Sequence, residues 1–157
     1  MSYILGLRKE LGPERCHRPL IMAGAGILFV NERNEILLQK RADNGFWGWP
    51  GGSLELGESF EEAAIREAKE ESGLICDEIE FFSLESGKET HYIYPNGDEI
   101  YCAGAVFLCR KYHGELKIQE DEVTEQRFFS FEDLPDDLDP LNKPLILRAF
   151  EKLKSKA

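Results

Sequence analysis

The 157-residue sequence predicts one mixed α/β domain that spans residues 1–157. Short apolar runs bounded by turn residues predict several strands, and a capped run with helical spacing predicts a helix in the middle of the chain. An amphipathic run near the end predicts a second helix. No internal repeat, low-complexity linker or change in composition divides the chain, so a single domain accounts for all of these elements.

The first predicted strands lie on either side of a polar turn. Small and apolar residues fill Ala23–Val30, and four turn-forming residues follow at 31–34. A second run, Glu35–Arg41, again has the composition of a strand. Two strands joined by so short a turn are typical of a hairpin, and we expect them to pair with each other.

A proline and two glycines mark a tight loop after these strands. The segment Trp47–Gly52 contains Pro50, which disfavours helical geometry in the residue before it. Gly51 and Gly52 follow, and glycine tolerates backbone geometry and close approaches that other residues do not. We therefore expect a short strand that enters a tight loop.

A helix is predicted over about residues 60–72. Ser59 and Glu62 match a capping box, in which the serine side chain accepts a hydrogen bond from the third helical amide. Apolar residues recur at helical spacing after the cap, and Gly73 supplies the left-handed residue that ends many helices. At 1.5 Å per residue this helix is roughly 20 Å long.

Strands dominate the rest of the chain until the last helix. Runs rich in β-branched and aromatic residues occupy Ile79–Leu84, His91–Tyr94, Ile100–Arg110 and Gln126–Phe131. Between the second and third of these runs, a proline, an asparagine, a glycine and an aspartate at 95–98 predict a hairpin turn. Leu141–Lys156 is the closing amphipathic helix, whose last lysines offset the helix dipole.

The net charge argues against several kinds of partner. Thirty acidic residues against nineteen basic ones give a formal charge of −11, and extended contact with nucleic acid needs a basic face. The longest apolar run, Ile21–Val30, is about half of what a membrane-spanning helix requires. The N-terminus does not have the charge order of a secretory signal, so we predict a cytoplasmic protein without a membrane partner.

Three glutamates on the predicted helix are the first indication of function. Glu67, Glu70 and Glu71 are related as i, i+3 and i+4, so they fall within about a 100° arc of one helix face. Like charges at these spacings destabilise a helix by roughly 0.2–0.5 kcal/mol per pair. A cation between the three carboxylates would remove this conflict, and oxygen ligands favour Mg²⁺ over zinc.

The same segment resembles the 23-residue Nudix box, which here runs from Gly52 to Leu74. Glu58 follows the first glycine after five residues, and Arg66 follows Glu58 after seven. Every invariant position of the motif is matched, and the one looser position is Ala68, where the motif prefers a larger aliphatic residue. The order of elements around the box is also similar to that family, so the chain is identified as a member of it.

The resemblance implies a fold, a reaction and a cofactor. Nudix proteins have an α/β/α sandwich with a mixed β-sheet, and they hydrolyse a pyrophosphate bond in a nucleoside diphosphate linked to another group. The reaction uses Mg²⁺ or Mn²⁺. By this resemblance Arg66 orients the acidic side chains, and Glu58 braces the loop before the helix. The implied metal ligands are Gly51, through its carbonyl, together with Glu67, Glu70 and Glu71.

A second acidic segment lies outside the box, at residues 120–125. In Nudix proteins a loop at this stage of the chain often supplies one more metal ligand or the general base. The resemblance implies Glu122 for this catalytic and metal-binding role, with Glu120 as the alternative. Glu67 is the other candidate for the base, and a solvated acidic loop without a catalytic role also fits the pattern.

Two residues are candidates for substrate contacts. Arg41 ends a predicted strand, where Nudix relatives often place an arginine on a substrate phosphate, and a guanidinium suits bidentate phosphate binding. A charge on an edge strand without such a role is the alternative. Trp47 is a candidate for stacking on a nucleobase, although an aromatic residue that leads into a buried loop is more often part of the core.

The predicted function is Mg²⁺-dependent hydrolysis of a pyrophosphate bond in a small nucleotide, either a nucleoside triphosphate or a nucleoside diphosphate derivative. One alternative is a non-catalytic sensor of nucleotides or divalent cations on the same fold. Another is removal of pyrophosphate from the 5′ end of RNA, which needs contact with only one or two nucleotides. A homodimer is expected because relatives often form one.

Overall fold

A computed structural model describes residues 3–12 and 18–155 of the chain. The α-helices in these ranges are α1 (Tyr3–Leu11), α2 (Phe60–Ser72) and α3 (Lys143–Ser155). The strands are β1 (Leu20–Phe29), β2 (Ile36–Arg41), β3 (Trp47–Gly48), β4 (Gly51–Ser53), β5 (Ile75–Glu85), β6 (His91–Ile93), β7 (Glu99–His113) and β8 (Val123–Phe129). Short 3₁₀ turns cover Lys88–Thr90 and Phe131–Asp133.

The strands form two sheets. The larger has five strands in the order β4-β1-β7-β5, with β6 also paired to β7. Strands β1 and β7 run parallel and the other pairs of this sheet are antiparallel, so the predicted mixed sheet is confirmed. The smaller sheet is antiparallel and has the order β3-β2-β8.

Helices α2 and α3 cover opposite faces of the larger sheet. Successive side chains of a strand point to opposite faces, and the last residues of β1 show the consequence. Ile27 and Phe29 pack in the same buried cluster as the alanines of α2. Leu28 packs in a second cluster with the apolar residues of α3. This arrangement is the predicted α/β/α sandwich.

The predicted hairpin between the first two strands is wrong. The turn itself forms, since the Asn31 amide donates to the Glu35 carbonyl at 3.1 Å. Beyond it, Val30 and Ile36 make a single isolated bridge, and the two strands continue into different sheets. The physical reason is burial: β1 lies between β4 and β7, and β2 lies between β3 and β8, so each strand is flanked by other partners.

The predictions for α2 are confirmed in detail, because they rest on local interactions. The helix covers residues 60–72, and the Ser59 hydroxyl accepts a hydrogen bond from the Glu62 amide at 3.1 Å. Gly73 has a φ of 82°, and its amide donates to the Lys69 carbonyl at 2.9 Å. A side chain at Gly73 would be strained by this left-handed geometry.

Other boundaries differ by a few residues. The predicted turn at 95–98 forms, since the Tyr94 amide donates to the Asp98 carbonyl at 2.8 Å. Strand β8 ends at Phe129, two residues earlier than expected. Helix α3 begins at Lys143, two residues later than expected, and Lys156 lies outside the described residues.

Helix α1 was not predicted from the sequence. Its buried Arg8 pairs with Asp98 at 3.5 Å, and the same guanidinium donates to the carbonyls of Arg18 and Glu99. These contacts fasten the helix to the turn between β6 and β7. None of the helices in the described ranges is long and apolar enough to cross a membrane.

Candidate active site

A cleft of about 580 Å³ opens where the C-terminal half of α2, strand β4 and the loop before β8 meet. The loop glycines, the three helix glutamates and two carboxylates of the acidic segment line it. These residues are Gly51, Gly52, Glu67, Glu70, Glu71, Asp121 and Glu122. The fold therefore brings together in one cleft all the residues predicted as metal ligands.

Small residues allow α2 and the glycine loop to approach each other closely. The buried face of the helix carries three alanines, Ala63, Ala64 and Ala68. A Cβ atom at Gly52 would lie 2.5 Å from the carboxyl carbon of Glu67, and one at Gly51 would lie 2.7 Å from the Ala25 carbonyl oxygen. Gly51 is thus required for space beside the β1 backbone, and a side chain at Gly52 would displace the Glu67 carboxylate that lies against the loop.

Glu71 is the most buried of the three glutamates, with 5 % of its surface exposed. The Gly51 amide donates to its Oε1 at 3.0 Å, and the Gln39 side-chain amide donates to its Oε2. Burial, followed by the charge of Glu67, raises the pKa of Glu71 well above its ordinary value, and the two hydrogen bonds oppose this shift. Glu71 is therefore held rigidly in a region where its charge is costly.

Arg66 ties the helix to the loop before it. Its guanidinium donates to both oxygens of Glu58, at 2.6 and 2.9 Å, and to the Ser53 carbonyl at 3.1 Å. Its Nη1 donates to Glu67 at 2.9 Å and to Glu70 at 3.3 Å. The hydrogen bond from Arg66 lowers the pKa of Glu58. The geometry gives Arg66 the contacts of an orienting residue and Glu58 those of a brace, and their roles in catalysis stay predictions.

The remaining carboxylates differ in environment. Burial raises the pKa of Glu67, the hydrogen bond from Arg66 partly offsets this, and the charges of Glu70 and Glu122 add to the rise. Glu70 is half exposed. Of the two candidates in the acidic loop, Glu122 lines the cleft and Glu120 does not.

The donor set suits a hard divalent cation. Among the residues that the structure describes, no three acidic, histidine or cysteine side chains are already grouped around one ion position. The carboxylates that α2 brings to the cleft nevertheless offer oxygen donors, and the raised pKa values of Glu67 and Glu71 reflect burial and repulsion by neighbouring carboxylates. A cation offsets both effects, and Mg²⁺ prefers oxygen ligands. The residues therefore fit Mg²⁺ or Mn²⁺.

The two candidate substrate contacts have different locations. Arg41 lines the cleft. Trp47 does not: it is 7 % exposed and packs in the α3-side core, with its ring 5.0 Å from that of Phe129. This is the core role that was the alternative for Trp47. Trp49, two residues later, lines the cleft instead.

Gln39 and Asp43 are polar residues of the cleft that were not predicted. Gln39 is buried and bonds to Glu71, and the signal for it is a polar residue directly after the apolar run of β2. Asp43 pairs with Arg41, and a carboxylate two positions after a candidate phosphate-binding arginine is a local signal of that pair. These two signals can be interpreted only after Arg41 and Glu71 have been assigned to the same site.

A second cavity, of about 190 Å³, adjoins the cleft. It lies against the small residues of β1 and β7, including Gly24 and Gly104. Arg41, Trp49 and Tyr94 are among the residues that line both spaces. The acidic cleft therefore continues into a less charged recess past the side chain of Arg41.

Together these features define a class of protein: an α/β/α sandwich whose first large helix presents carboxylates to a glycine loop in an open cleft. A family model described as the NUDIX domain matches residues 20–149, which is most of the chain. The chain belongs to the Nudix hydrolase family.

Relatives and solved structures agree with this assignment. The ADP-ribose pyrophosphatase of Methanocaldococcus jannaschii is 38 % identical over 82 % of this chain and 72 % of its own length. The 8-oxo-dGDP phosphatase NUDT18 of Mus musculus is 35 % identical over 74 % of this chain, which spans only 33 % of that protein. The crystal structure of a MutT NUDIX hydrolase from Burkholderia pseudomallei covers 83 % of this chain and 96 % of its own, with 27 % identity and a TM-score of 0.67.

Proposed function

We propose that this chain hydrolyses a pyrophosphate bond in a small nucleotide, with Mg²⁺ or Mn²⁺ as cofactor. The observation that carries the proposal is the cleft that Glu67, Glu70 and Glu71 line together with the Gly51–Gly52 loop and Arg41. Nucleoside diphosphate derivatives are the favoured substrate class, because two relatives are named for ADP-ribose and for 8-oxo-dGDP. Nucleoside triphosphates are the second class to test.

The metal-binding groups in this proposal are the carbonyl of Gly51 and the carboxylates of Glu67, Glu70, Glu71 and Glu122. A divalent cation held by these groups would neutralise phosphate charge and would lower the pKa of a bound water. The protein must also accept a proton from the attacking water. Glu67 and Glu122 both line the cleft and are the two candidates for this base.

The supporting residues act on orientation. Arg66 holds Glu67 and Glu70 from one side, and Glu58 fixes Arg66 through two hydrogen bonds. Glu71 is fixed independently by Gly51 and Gln39. In this proposal Arg41 contacts a phosphate of the substrate, since a guanidinium offers several donors in a fixed plane.

The test is a panel of nucleotides with Mg²⁺ or Mn²⁺ and chromatographic identification of the products. The panel includes ADP-ribose, 8-oxo-dGDP, nucleoside triphosphates and a short RNA with a 5′ triphosphate. On the best substrate we expect Glu70→Gln and Glu71→Gln each to lose at least about 100-fold in activity, the size typical of lost charge stabilisation at a reacting group. Glu61→Gln, on an exposed part of the same helix, is the matched control and keeps full activity.

Three outcomes would contradict the proposal in different ways. Full turnover by both variants would remove the assignment of the metal ligands. Tight nucleotide binding without hydrolysis at any divalent metal would indicate a sensor. Preference for the RNA over all small nucleotides would indicate a 5′-end pyrophosphohydrolase.

We further propose a homodimer and a cytoplasmic location. Light scattering on the purified chain tests the first, and a mass of one protomer would contradict it. Imaging of the tagged protein in its host tests the second. An acidic chain is also expected to show no affinity for long RNA or DNA at moderate salt.

A further inference from the structure

Arg41 stands at the junction of the acidic cleft and the second cavity, and it lines both. A nucleotide whose phosphates lie beside the glutamates and whose organic part enters the recess must pass this side chain. The precise direction of the guanidinium therefore matters more here than at an ordinary surface arginine. What fixes that direction is a neighbouring carboxylate.

Asp43 binds one edge of the Arg41 guanidinium with both of its oxygens. Arg41 Nε donates to Asp43 Oδ1 at 2.9 Å, and Nη2 donates to Oδ2 at 2.7 Å. Burial is the largest single influence on Asp43 and opposes its charge, but the hydrogen bonds and the charge of Arg41, together with backbone hydrogen bonds, lower the pKa of that carboxyl. In the described part of the chain Arg41 Nη1 donates to no protein atom, so the second edge of the guanidinium is available to a ligand.

The adjacent residue of the same turn holds an aromatic ring against Arg41. The guanidinium carbon lies 5.4 Å from the centroid of the Tyr92 ring. The Asn44 side-chain amide donates to the Tyr92 hydroxyl at 2.7 Å, and the Tyr92 ring packs edge-on against that of Tyr94 at 4.9 Å. The turn between β2 and β3 thus supplies both Asp43, which binds one edge of the Arg41 guanidinium, and Asn44, which holds the Tyr92 ring against the guanidinium.

We infer that Asp43 is a positioning residue that presents the Nη edge of Arg41 to a phosphate of the substrate. The inference rests on the proposed function, because it assumes that Arg41 binds phosphate. An arginine side chain is long and flexible, and a bidentate carboxylate restricts it to one plane. Asp43 also brings a negative charge towards the phosphate. The inference is that orientation of Arg41 outweighs this repulsion.

The first measurement is equilibrium binding of α,β-methylene-ADP in Mg²⁺, followed by calorimetry. This diphosphate analogue resists cleavage between its two phosphorus atoms, so binding is measured without turnover. We expect Asp43→Ala to weaken binding by roughly tenfold. This is the low end of the loss of metal affinity that follows removal of a partner that orients a metal-binding residue. Asp43→Asn, which keeps an oxygen acceptor but not the charge, falls between Asp43→Ala and the wild type.

The second measurement separates positioning from general damage to the site. On the best substrate Asp43→Ala is expected to raise KM by a similar factor and to change kcat less than about twofold, since the glutamates are untouched. Binding of Mn²⁺ alone, followed by electron paramagnetic resonance, stays at the wild-type level. In an Arg41→Ala background Asp43→Ala adds no further loss, because two residues that act as a unit are not additive.

The matched control is Asp137→Asn. Asp137 pairs with Lys40 at 3.7 Å, one residue before Arg41 on the same strand, and neither residue of that pair lines the cleft. Removal of this charge is expected to leave binding of the analogue unchanged. A tenfold loss in the control would assign the effect of Asp43 to overall charge rather than to orientation.

Several results would overturn the inference. Tighter binding by Asp43→Ala would mean that Asp43 competes with phosphate for Arg41. Unchanged binding, or a loss that persists in the Arg41→Ala background, would show that Asp43 does not act through the arginine. If the analogue binds with the expected dependence on Asp43 but no nucleotide is hydrolysed, the inference holds and the proposed function fails.

Discussion

Helices α2 and α3 have the same length and cover opposite faces of one sheet, but they bury different kinds of side chain. Helix α3 buries large apolar residues, among them Leu145, Ile146, Phe150 and Leu153. Helix α2 buries alanines together with Glu71 and Ser72. Helix α3 fills its side of the core with large apolar side chains. Helix α2 buries smaller apolar side chains, and its carboxylates lie close to the Gly51–Gly52 loop.

The difference shows where stability and function are separated in this fold. Burial of large aliphatic and aromatic side chains is the main stabilising contribution in a domain core. Alanine contributes little by burial, but it permits a short distance between helix and sheet. Helix α3 should therefore contribute more to the free energy of unfolding than α2 does, and α2 should control activity.

The largest effect on stability is expected for Ile146→Ala in α3. Ile146 is fully buried, and truncation of a buried isoleucine costs about 2–5 kcal/mol of unfolding free energy. Urea denaturation measures this loss. Activity of the folded variant, assayed at urea concentrations well below its unfolding transition, is expected to stay unchanged. A parallel loss of kcat would contradict the idea that α3 governs stability and α2 governs activity.

A smaller loss of stability with a large loss of activity is expected for Ala64→Leu in α2. Overpacking costs roughly 1–3 kcal/mol, and here it also moves the helix that carries the glutamates. Ala149→Leu in α3 is the matched control, because Ala149 is equally buried. Both variants are expected to lose similar stability, but only Ala64→Leu loses activity on the best nucleotide.

The α2 side also predicts a dependence of stability on pH. In the folded state the pKa of Glu71 lies above its ordinary value of 4.5, so the folded chain keeps a proton that the unfolded chain has lost. Unfolding free energy therefore falls as pH rises from 4.5 through the raised pKa, with a slope of at most about 1.4 kcal/mol per pH unit from this group. Urea titrations in EDTA between about pH 5 and 8 measure it.

The variant Glu71→Gln isolates this contribution. It cannot ionise, so its unfolding free energy is expected to fall less steeply with pH than that of the wild type. Addition of Mg²⁺ is expected to stabilise the wild type more than the variant, because the cation binds the ionised carboxylate. Parallel pH curves for the two proteins would show that Glu71 does not titrate differently in the folded and unfolded states.

The smallest effect is expected for Ser59→Ala at the start of α2. Loss of this cap removes one hydrogen bond to the Glu62 amide and costs about 1 kcal/mol. Ser59→Asp keeps a capping oxygen and should retain wild-type stability. Thermal unfolding distinguishes the two, and equal losses in both would mean that the cap does not stabilise this helix.

The parts that could be predicted from the sequence depend on short-range interactions. The limits of α2 follow from Ser59 and Gly73, which act within one turn of the helix ends. The convergence of Glu67, Glu70 and Glu71 follows from helical spacing. These features require no knowledge of which strand lies beside which, and they are sufficient to predict where the candidate site lies.

The rest depends on pairing between distant segments. An apolar run that is buried on both sides carries no signal for its partners, so β1 and β2 were assigned to each other instead of to different sheets. The choice between Trp47 and Trp49 depends on the register of β3 against β2, where Trp47 lies opposite Lys40. The bond between Gln39 and Glu71 spans 32 positions of the chain.

The parallel pairing of β1 with β7 has a consequence for how the molecule is made. Leu20 lies opposite Ile100 and Phe29 opposite Cys109, so the paired residues are 80 positions apart. Contacts at this separation form slowly compared with local ones. The ribosome finishes α2 before it has made β7, so at that stage the edge of β1 that pairs with β7 has no partner. The Nudix box is continuous in the chain, but the sheet that supports it is complete only after residue 109 has been synthesised.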